Sequence, residues 1–237
     1  MISVVVVDAE TPGNVGTIAR AMKNFGFADL KLVDPPELDR DGEAYGFAGQ
    51  AREDVLPDAE VVTFEEIVER FYTVGFTATT NEDARKHVRF PFATPEELAE
   101  ELAGVETDVA LLFGRERIGL TNDELARIDR VCAIPASADY PVLNLGQAAT
   151  IALYELRGLA MADSQLPDVE RERANESEIE RFYERFDATL GSLEYPEGKR
   201  SKTMRLVRRL VGRAHPTTRE ITTLHGVLRA IERATRK

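Results

Sequence analysis

The chain has 237 residues, of which 43% are hydrophobic, enough to bury the core of one large domain or two unequal ones. No run of about 18 uncharged apolar residues occurs, so the sequence predicts no membrane-spanning segment. The apolar run 2–7 is too short for a signal peptide and has no basic residue before it, so we expect a cytoplasmic protein. The single cysteine, Cys132, excludes an internal disulfide and a cysteine-based zinc site, and we expect it to be a buried strand thiol.

The net charge of −12 argues at first against a nucleic-acid partner, because phosphate binding needs Lys and Arg. The charge is unevenly distributed, however. From Gly198 onward there are 12 Lys and Arg against 2 Asp and Glu, whereas residues 1–197 carry 18 against 40. An acidic body with a basic tail suggests an anionic partner at one end of the molecule.

The first half of the chain alternates between predicted strands and helices. Residues 2–7 form a β-branched apolar run, typical of a strand buried on both faces. Apolar residues then recur at helical spacing from Asn14, which is placed to cap a helix, to Gly26, which is placed to end it. Further strands are predicted at 30–33, 60–63, 72–78, 109–113 and 131–134, and helices near 64–70, 95–103 and 121–128. This alternation predicts a mainly parallel α/β sheet.

The second half is predicted to be helical. A long amphipathic helix covers 143–162, and the polar segment 163–175 is interpreted as a linker. Helices follow near 177–190, near 199–213 and after Pro216, the last opened by the capping box Thr217-x-x-Glu220. The sequence therefore predicts an α/β domain over 1–162, a linker over 163–175 and a helical domain over 176–237.

The first of three motifs places Asn14 and Arg20 six residues apart on the first predicted helix, where they project to broadly the same side. A guanidinium there could hold a phosphate or orient a hydroxyl, because it offers a rigid fork of donors. The alternative is that Arg20 is a solvated arginine and Asn14 only a cap.

The second motif is LLFGRERIGL, residues 111–120, in which an apolar strand runs into a charged loop flanked by glycines. Ligands on open parallel sheets bind beyond the carboxyl ends of strands, where this loop lies. Glycines allow a ligand to approach the backbone, and Glu116 can accept hydrogen bonds. The motif is neither a dinucleotide fingerprint nor a phosphate-binding loop. As an alternative, it is an ordinary connection between a strand and a helix.

The third motif, residues 134–148, contains a strand end, a loop with two prolines, and Asn144 at the start of the long helix. Two strand-end loops so close in sequence could line one pocket together. The alternative is a plain loop before a capped helix.

In this order and at these separations, the motifs resemble the signature of the SPOUT superfamily of RNA methyltransferases. Within it they resemble the TrmJ-like branch of tRNA (cytidine/uridine-2′-O-)-methyltransferases. The resemblance covers residues 2–159. Three blocks carry it: PGNVGTIARAMKNFGFADLKLVDP, LLFGRERIGLTNDEL and IPASADYPVLNLGQAATIALYEL.

The resemblance implies an α/β fold with a C-terminal trefoil knot, an exception to the rule that chains are unknotted. It also implies that S-adenosylmethionine binds in the knot. The cofactor-binding residues that it implies are Thr77, Ala78, Thr79, Gly114, Glu116, Gly119, Leu120, Ile134, Val142, Leu143 and Asn144. Many family members have serine where this chain has Val142, so we expect Val142 to bind the cofactor through its backbone and not to act in catalysis.

The family's homodimeric assembly implies an active site at the subunit interface, with Arg20 and Asn14 as the catalytic candidates. Arg20 would reach the partner subunit's cofactor and the target ribose, whose 2′-oxygen attacks the methyl group. A guanidinium is almost never neutral, so orienting the hydroxyl through the adjacent phosphate suits Arg20 better than acting as a base. We expect no metal, because the three histidines, His87, His215 and His225, lack ligand spacing.

The predicted helix near 199–213 is amphipathic, with Met204, Val207 and Val211 placed to pack inward. Its outward cations could contact phosphates, which set affinity and position but not sequence choice. The predicted RNA-binding residues are Lys199, Arg200, Lys202, Arg205, Arg208 and Arg209. The alternative is that this helix balances the acidic body by intramolecular pairing. TrmJ-like proteins carry a helical extension associated with tRNA binding, which favours the first interpretation.

The target implied by the resemblance is an anticodon-loop nucleotide of tRNA, at position 32. Two alternatives stay open from the sequence. One is 2′-O-methylation of ribosomal RNA by the same fold. The other is a non-catalytic RNA-binding protein on the same scaffold, which the change at Val142 suggests and the presence of Asn14, Arg20, Glu116 and Asn144 argues against.

Overall fold

A computed structural model describes residues 1–78, 87–166 and 172–235. These residues form two compact units, Met1–Ser164 and Gln165–Lys237. The predicted linker includes residues 167–171, which lie outside the described residues. Near its end, Arg173 forms an isolated bridge with Thr217 and Ala174 is buried, so both residues pack within the second unit.

The first unit is built on a seven-stranded sheet in the order β3-β2-β1-β6-β4-β7-β5. All six strand pairings are parallel, as the alternation of strands and helices predicts. The strands are β1 (Ile2–Val7), β2 (Asp29–Val33), β3 (Glu60–Val61), β4 (Tyr72–Phe76), β5 (Phe92–Ala93), β6 (Val109–Phe113) and β7 (Arg130–Cys132).

Among the described residues of this unit there are six α-helices: five connect the strands, and α6 follows the last strand. They are α1 (Pro12–Asn24), α2 (Glu43–Phe47), α3 (Phe64–Arg70), α4 (Pro95–Leu102), α5 (Asn122–Leu125) and α6 (Leu145–Leu156). Threonines before α3, α4 and α5 each make a capping box with the glutamate three residues later. These boxes fix the starts of the three helices by satisfying N–H groups that have no partner within the helix.

The sheet is buried on both faces, which explains the unbroken apolar run of β1. Val4 and Val6 belong to one core cluster, with residues of α1 and α6, whereas Val5 and Val7 belong to the other, with residues of α3 and α5. Side chains of successive strand residues point to opposite faces, so each layer of helices receives every second valine. Cys132 lies fully buried in this core, and burial raises the pKa of its thiol to about 12. The prediction of a buried strand thiol is confirmed.

Helix α1 packs closely against α2 and α6, and a glycine at each contact makes this possible. A Cβ on Gly16 would lie 2.0 Å from the backbone oxygen of Ala44 in α2. On the other side, a Cβ on Gly146 of α6 would lie 2.8 Å from Thr17. Since α1 and α6 carry the first and third motifs, this close contact brings the two motifs together.

Several predicted elements differ from the observed ones at their ends. The predicted cap at Asn14 is wrong: α1 begins at Pro12 after Thr11, since proline suits the first helical position, and Asn14 lies inside the first turn. Gly26, at φ +81°, follows the end of α1 as predicted. The long helix is shorter than predicted, because α6 ends at Leu156 and continues as a 3₁₀ turn over Arg157–Leu159. Helix α2 and strand β5 were not predicted.

The second unit consists of α7 (Glu176–Ser192), α8 (Glu197–Ala214) and α9 (Thr218–Thr235), close to the three predicted helices. Met204, Val207 and Val211 of α8 pack against a core formed mainly by α7 and α9, which confirms the predicted inward face. The capping box of Thr217 and Glu220 is also present.

Candidate functional site

Three neighbouring strands, β6, β4 and β7, end at the same edge of the sheet, and residues of the segments that follow them line an open cavity. Ligands of open parallel sheets bind at this edge. The floor is apolar, with the rings of Phe76 and Phe113 stacked 4.4 Å apart between their centroids.

The loop after β6 depends on two glycines. A Cβ on Gly114 would lie 2.2 Å from the carbonyl carbon of Gly119 and 2.3 Å from the backbone nitrogen of Leu120. Gly119 has φ +69°, a conformation that side chains rarely permit, and its N–H donates to the carbonyl of Arg115 at 3.0 Å. The loop therefore folds back on itself so closely that backbone, and no side chain, occupies this part of the cavity wall.

Arg115 anchors this loop to Asp8, which follows β1, and to Glu124 of α5. Its Nε donates to Asp8 at 2.7 Å and its two terminal nitrogens donate to both oxygens of Glu124 at 3.0 and 3.1 Å. These hydrogen bonds raise the pKa of Arg115 above its ordinary value. Although Arg115 lines the cavity, its charge is balanced by these two carboxylates, so it acts as an anchor.

A chain of side-chain hydrogen bonds joins the three sequence motifs. The amide nitrogen of Asn14 donates to Glu116 at 2.8 Å, and the amide oxygen of Asn14 accepts from Asn144 at 3.1 Å. Asn144 in turn caps α6 by accepting from the N–H of Gln147 at 3.2 Å. We call Glu116, Asn14 and Asn144 the motif brace. It fixes the loop after β6 and the start of α6 to the first turn of α1.

Glu116 is the charged end of the motif brace. Its carboxylate also accepts the backbone N–H groups of Glu10 at 2.7 Å and Thr11 at 2.9 Å, just before α1. Burial alone would raise the pKa of Glu116, but these hydrogen bonds and the one from Asn14 outweigh it and hold the pKa below its ordinary value. The group is therefore a carboxylate at neutral pH, favourably placed near the positive end of a helix dipole.

Most of the predicted cofactor-binding residues lie together around the cavity. Those that line it are Thr77, Ala78, Gly114, Glu116, Gly119, Ile134, Val142 and Leu143. The side chain of Leu120 is buried in the core instead, and Asn144 belongs to the motif brace without lining the cavity. Thr79 lies outside the described residues.

Sequence reasoning missed several lining residues. Arg89 lines the cavity and donates to the hydroxyl of Thr77 at 3.3 Å and to the side chain of Asn122 at 3.2 Å. No motif surrounds Arg89, so nothing in the sequence pointed to it. Leu145 and Ala148 also line the cavity, and their position on the first turn of the helix after Asn144 could have indicated this.

Arg20, the other catalytic candidate, lies apart from the cavity. It is exposed on α1 and is not among the residues that line the cavity of its own chain. Its Nε is 3.5 Å from the position that a Cβ on Gly49 would take. Within the described residues, Arg20 makes no side-chain hydrogen bond or ion pair, so its charge is available to a partner outside the chain.

The six predicted RNA-binding residues of α8 fall into two groups. Arg200 makes two hydrogen bonds to the carboxylate of Asp187, and Arg208 makes two to Glu180 and lies 4.3 Å from the centroid of the Tyr183 ring. The other four make no ion pair among the described residues and line a shallow groove of the second unit: Lys199, Lys202, Arg205 and Arg209. Intramolecular pairing thus occupies two cations and leaves four exposed.

Within residues 1–78, 87–166 and 172–235, no group of three or more His, Cys, Asp or Glu side chains could hold a metal ion. None of the helices in those ranges has the length and apolar character needed to cross a membrane.

Comparison with known proteins relates both parts of the chain to RNA methyltransferases. Residues 1–154 match the model of the SpoU rRNA methylase family, and residues 177–237 match that of the C-terminal domain of the tRNA methyltransferase TrmJ. These matches confirm the resemblance seen in the sequence motifs.

Individual relatives match over nearly the whole chain. The tRNA (cytidine-2′-O-)-methyltransferase TrmJ of Methanocaldococcus jannaschii is 35% identical over 94% of this chain and 96% of its own. The tRNA (cytidine/uridine-2′-O-)-methyltransferase TrmJ of Klebsiella pneumoniae is 36% identical over 98% of this chain and 96% of its own. The crystal structure of TrmJ from Z. mobilis is 30% identical, covers 98% of this chain and 99% of its own, and superimposes with a TM-score of 0.69. The chain belongs to the SpoU methylase family, within the branch of the TrmJ proteins.

Proposed function

We propose that this protein transfers a methyl group from S-adenosylmethionine to a ribose 2′-hydroxyl of tRNA, in the anticodon loop at position 32. The observation that carries the proposal is the motif brace, in which Glu116, Asn14 and Asn144 hold three family motifs around one cavity. The names of the full-length relatives, which are tRNA 2′-O-methyltransferases, support the same reaction. We also propose that the protein acts in the cytoplasm.

The cavity has the features that the methyl donor needs. Apolar side chains such as Phe76 and Ile134 suit the flat adenine ring, whereas Thr77 and Glu116 supply polar groups. Gly114 and Gly119 also line the cavity, where they carry no side chain. We infer that the backbone at Gly114, Gly119 and Leu120, together with that of Val142 and Leu143, holds the donor. When bound, the donor supplies an activated methyl group on a sulfonium sulfur.

In this proposal Arg20 is the residue that acts on the RNA. A guanidinium stays protonated in proteins, so Arg20 cannot remove the hydroxyl proton unaided. It can bind the phosphate beside the target ribose through two N–H groups and thereby hold the 2′-oxygen in line with the methyl carbon. Holding two reactants in line supplies a large part of a rate enhancement. Asn14, whose amide is engaged on both sides, is a positioning residue in this scheme.

The separation of Arg20 from the cavity supports a homodimer. If Arg20 is catalytic, the cavity that it serves must belong to a second copy of the chain, because Arg20 does not line its own. The exposed apolar side chains of Phe47 near α1 and of Ile151 and Tyr154 on α6 offer a surface for such a contact. We also propose the trefoil knot that the family resemblance implies, and an RNA-binding role for the cations of α8.

A methyl-transfer assay with total tRNA and, separately, with ribosomal RNA tests the proposal, with Arg20→Ala as the matched variant. Labelled S-adenosylmethionine should transfer label to tRNA with the unchanged protein. Arg20→Ala should transfer at least about 100-fold less, in the range that removal of one charged transition-state contact causes, with unchanged affinity for S-adenosylhomocysteine. Label in ribosomal RNA but not in tRNA would contradict the choice of substrate. Bound cofactor without transfer to either RNA would contradict the activity.

A further inference from the structure

Arg89 is a half-buried arginine on the wall of the cavity, at the end of the 3₁₀ turn His87–Arg89. One terminal nitrogen of its guanidinium donates to the hydroxyl of Thr77 at 3.3 Å, and the other donates to the amide oxygen of Asn122 at 3.2 Å. Both Arg89 and Thr77 line the cavity. The guanidinium therefore lies at the cavity wall, where side chains from two separate segments orient it.

Two other arginines, Arg115 and Arg117, line the cavity, and both are bound to carboxylates. Arg115 is held by two of them. Arg117 pairs with Glu10 at 3.4 Å, and its side chain is 83% exposed. The side chains of Thr77 and Asn122 are neutral instead, so they orient the guanidinium of Arg89 without cancelling its charge. A guanidinium offers five N–H donors in a planar fork that matches a carboxylate.

The methyl donor proposed for this cavity has a single anionic group. S-adenosylmethionine carries two positive groups, the sulfonium and the α-ammonium, and one negative group, the α-carboxylate. Removing an unpaired carboxylate from water costs free energy, so a bound donor needs a partner for this group. Glu116, which also lines the cavity, is itself a carboxylate and would repel it. The partner of the α-carboxylate should therefore be a cation on the cavity wall.

We propose that Arg89 binds the α-carboxylate of S-adenosylmethionine and thereby holds the amino-acid end of the donor. Thr77 and Asn122 are positioning residues in this scheme, because they act through the guanidinium. The inference rests on the proposed function, which places the donor in this cavity. It adds a specificity to that function: the cavity selects for a donor with an intact amino-acid group, since an analogue without the carboxylate gains nothing from Arg89.

An RNA phosphate is the alternative anion for Arg89, and two observations favour the carboxylate. Arg89 is half-buried in the wall, whereas the arginines assigned to RNA, such as Arg20 and Arg205, are exposed. In addition, the proposed dimer brings the partner subunit's Arg20 to the phosphate beside the target ribose. That phosphate therefore has its own cation, and the α-carboxylate of the donor is the anion that remains to be bound.

The test measures the binding of two ligands by calorimetry. One is S-adenosylhomocysteine, and the other is its decarboxylated analogue, which keeps the amine and lacks only the carboxylate. The variants are Arg89→Ala and Arg89→Lys, with Arg52→Ala as the matched control. Arg52 is exposed and is not among the residues that line the cavity. The KM for tRNA is measured with the same proteins.

Arg89→Ala should weaken the binding of S-adenosylhomocysteine by roughly 10- to 150-fold, the range that loss of a hydrogen bond to a charged group gives. Its affinity for the decarboxylated analogue should stay within about threefold of that of the unchanged protein, which also shows that the variant is folded. Arg89→Lys should lie between the two, because an ammonium keeps the charge and loses the planar fork. Arg52→Ala should bind both ligands as the unchanged protein does.

Equal weakening of both ligands by Arg89→Ala would overturn the inference, and so would unchanged binding of both. A raised KM for tRNA together with unchanged binding of S-adenosylhomocysteine would assign Arg89 to the RNA instead. These results leave the proposed function standing. If the unchanged protein binds S-adenosylhomocysteine but transfers no methyl group, the proposed function fails, and the two ligands still decide the role of Arg89.

Discussion

The two units of this protein use charge in opposite ways. In the first unit, the charged groups around the cavity are bound to one another: Arg115 to Asp8 and Glu124, and Glu116 to Asn14 and the backbone before α1. In the second unit, α8 leaves four of its six predicted RNA-binding cations without an ion pair among the described residues. Paired charges fix geometry, whereas exposed charges attract a polyanion. We therefore propose that the first unit carries out the methyl transfer and that the second unit contributes affinity for RNA.

The largest effect, on cofactor affinity, is expected at Gly114, where backbone packs against backbone. Gly114→Ala would force a Cβ to within 2.2 Å of Gly119, and overpacking of this kind costs about 1–3 kcal/mol. If the loop opens to relieve the strain, S-adenosylhomocysteine should bind about 5- to 150-fold more weakly, as calorimetry would measure. Gly158→Ala is the control, since nothing lies within 4 Å of its Cβ. Equal affinities of the two variants would show that the loop does not shape the site.

The division between exposed and paired cations of α8 can be tested directly. Changing Lys202, Arg205 and Arg209 together to alanine should weaken tRNA binding and lower the slope of log affinity against log salt by about 2–3. Cofactor affinity should stay the same. Arg208→Ala should instead reduce the stability of the helical unit, because it leaves Glu180 without its two hydrogen bonds. If Arg208→Ala alone changed the salt slope as much as the triple variant, the two groups of cations would not differ.

The motif brace predicts a smaller effect on stability that depends on pH. Glu116→Gln keeps the shape but loses the charged hydrogen bonds, which typically contribute about 1.5–3 kcal/mol each when one partner is charged. Because the pKa of Glu116 is lowered in the folded state, its stabilisation is present above the unfolded pKa of about 4.3 and is lost as pH falls through the folded value. Chemical unfolding at pH 7 should give the variant a lower free energy of unfolding than the unchanged protein. This difference in free energy should shrink as the pH falls. A constant difference would contradict the role of the charge.

The smallest expected effect is on the pH dependence of stability, and it concerns His225 in the second unit. Its Nδ1 is buried without a hydrogen bond, its ring meets Phe182 edge-on, and burial lowers its pKa, as do Arg185, Arg229 and Arg181. The unfolded chain therefore binds this proton more readily than the folded one, so stability should fall as pH drops below about 6.5. His225→Phe should remove this fall, which thermal unfolding at pH 7.5 and pH 5.5 would measure. An unchanged fall would assign it to other groups.

The sequence allowed the sheet and most helices to be predicted, because periodicity and capping boxes are local signals. The short strand β5 and helix α2 were missed because each has too few residues to show a period. The role of Asn14 was misjudged for a different reason. A residue before an apolar helical run looks like a cap, but its partners Glu116 and Asn144 are more than 100 residues away, and only the fold shows that Thr11 precedes the helix.

The candidate site likewise contains residues that could be predicted from the sequence and residues that could not. The glycine-flanked loop and the strand-end residues could be placed at the cavity because parallel strands end at one edge. Arg89 could not, because its place beside Thr77 depends on the path of the chain between β4 and β5. The pairing of Arg200 and Arg208 with α7 carboxylates also depends on how three helices pack, which their individual patterns do not determine.

One measurement tests the central claim most directly. A tRNA carrying 2′-deoxyribose only at position 32 would be compared with the unmodified tRNA, and the methylated nucleosides would be identified by mass spectrometry after digestion. We expect a 2′-O-methylated nucleoside from the unmodified tRNA and none from the deoxy-substituted one. Equal methylation of both, or methylation of a base, would contradict it.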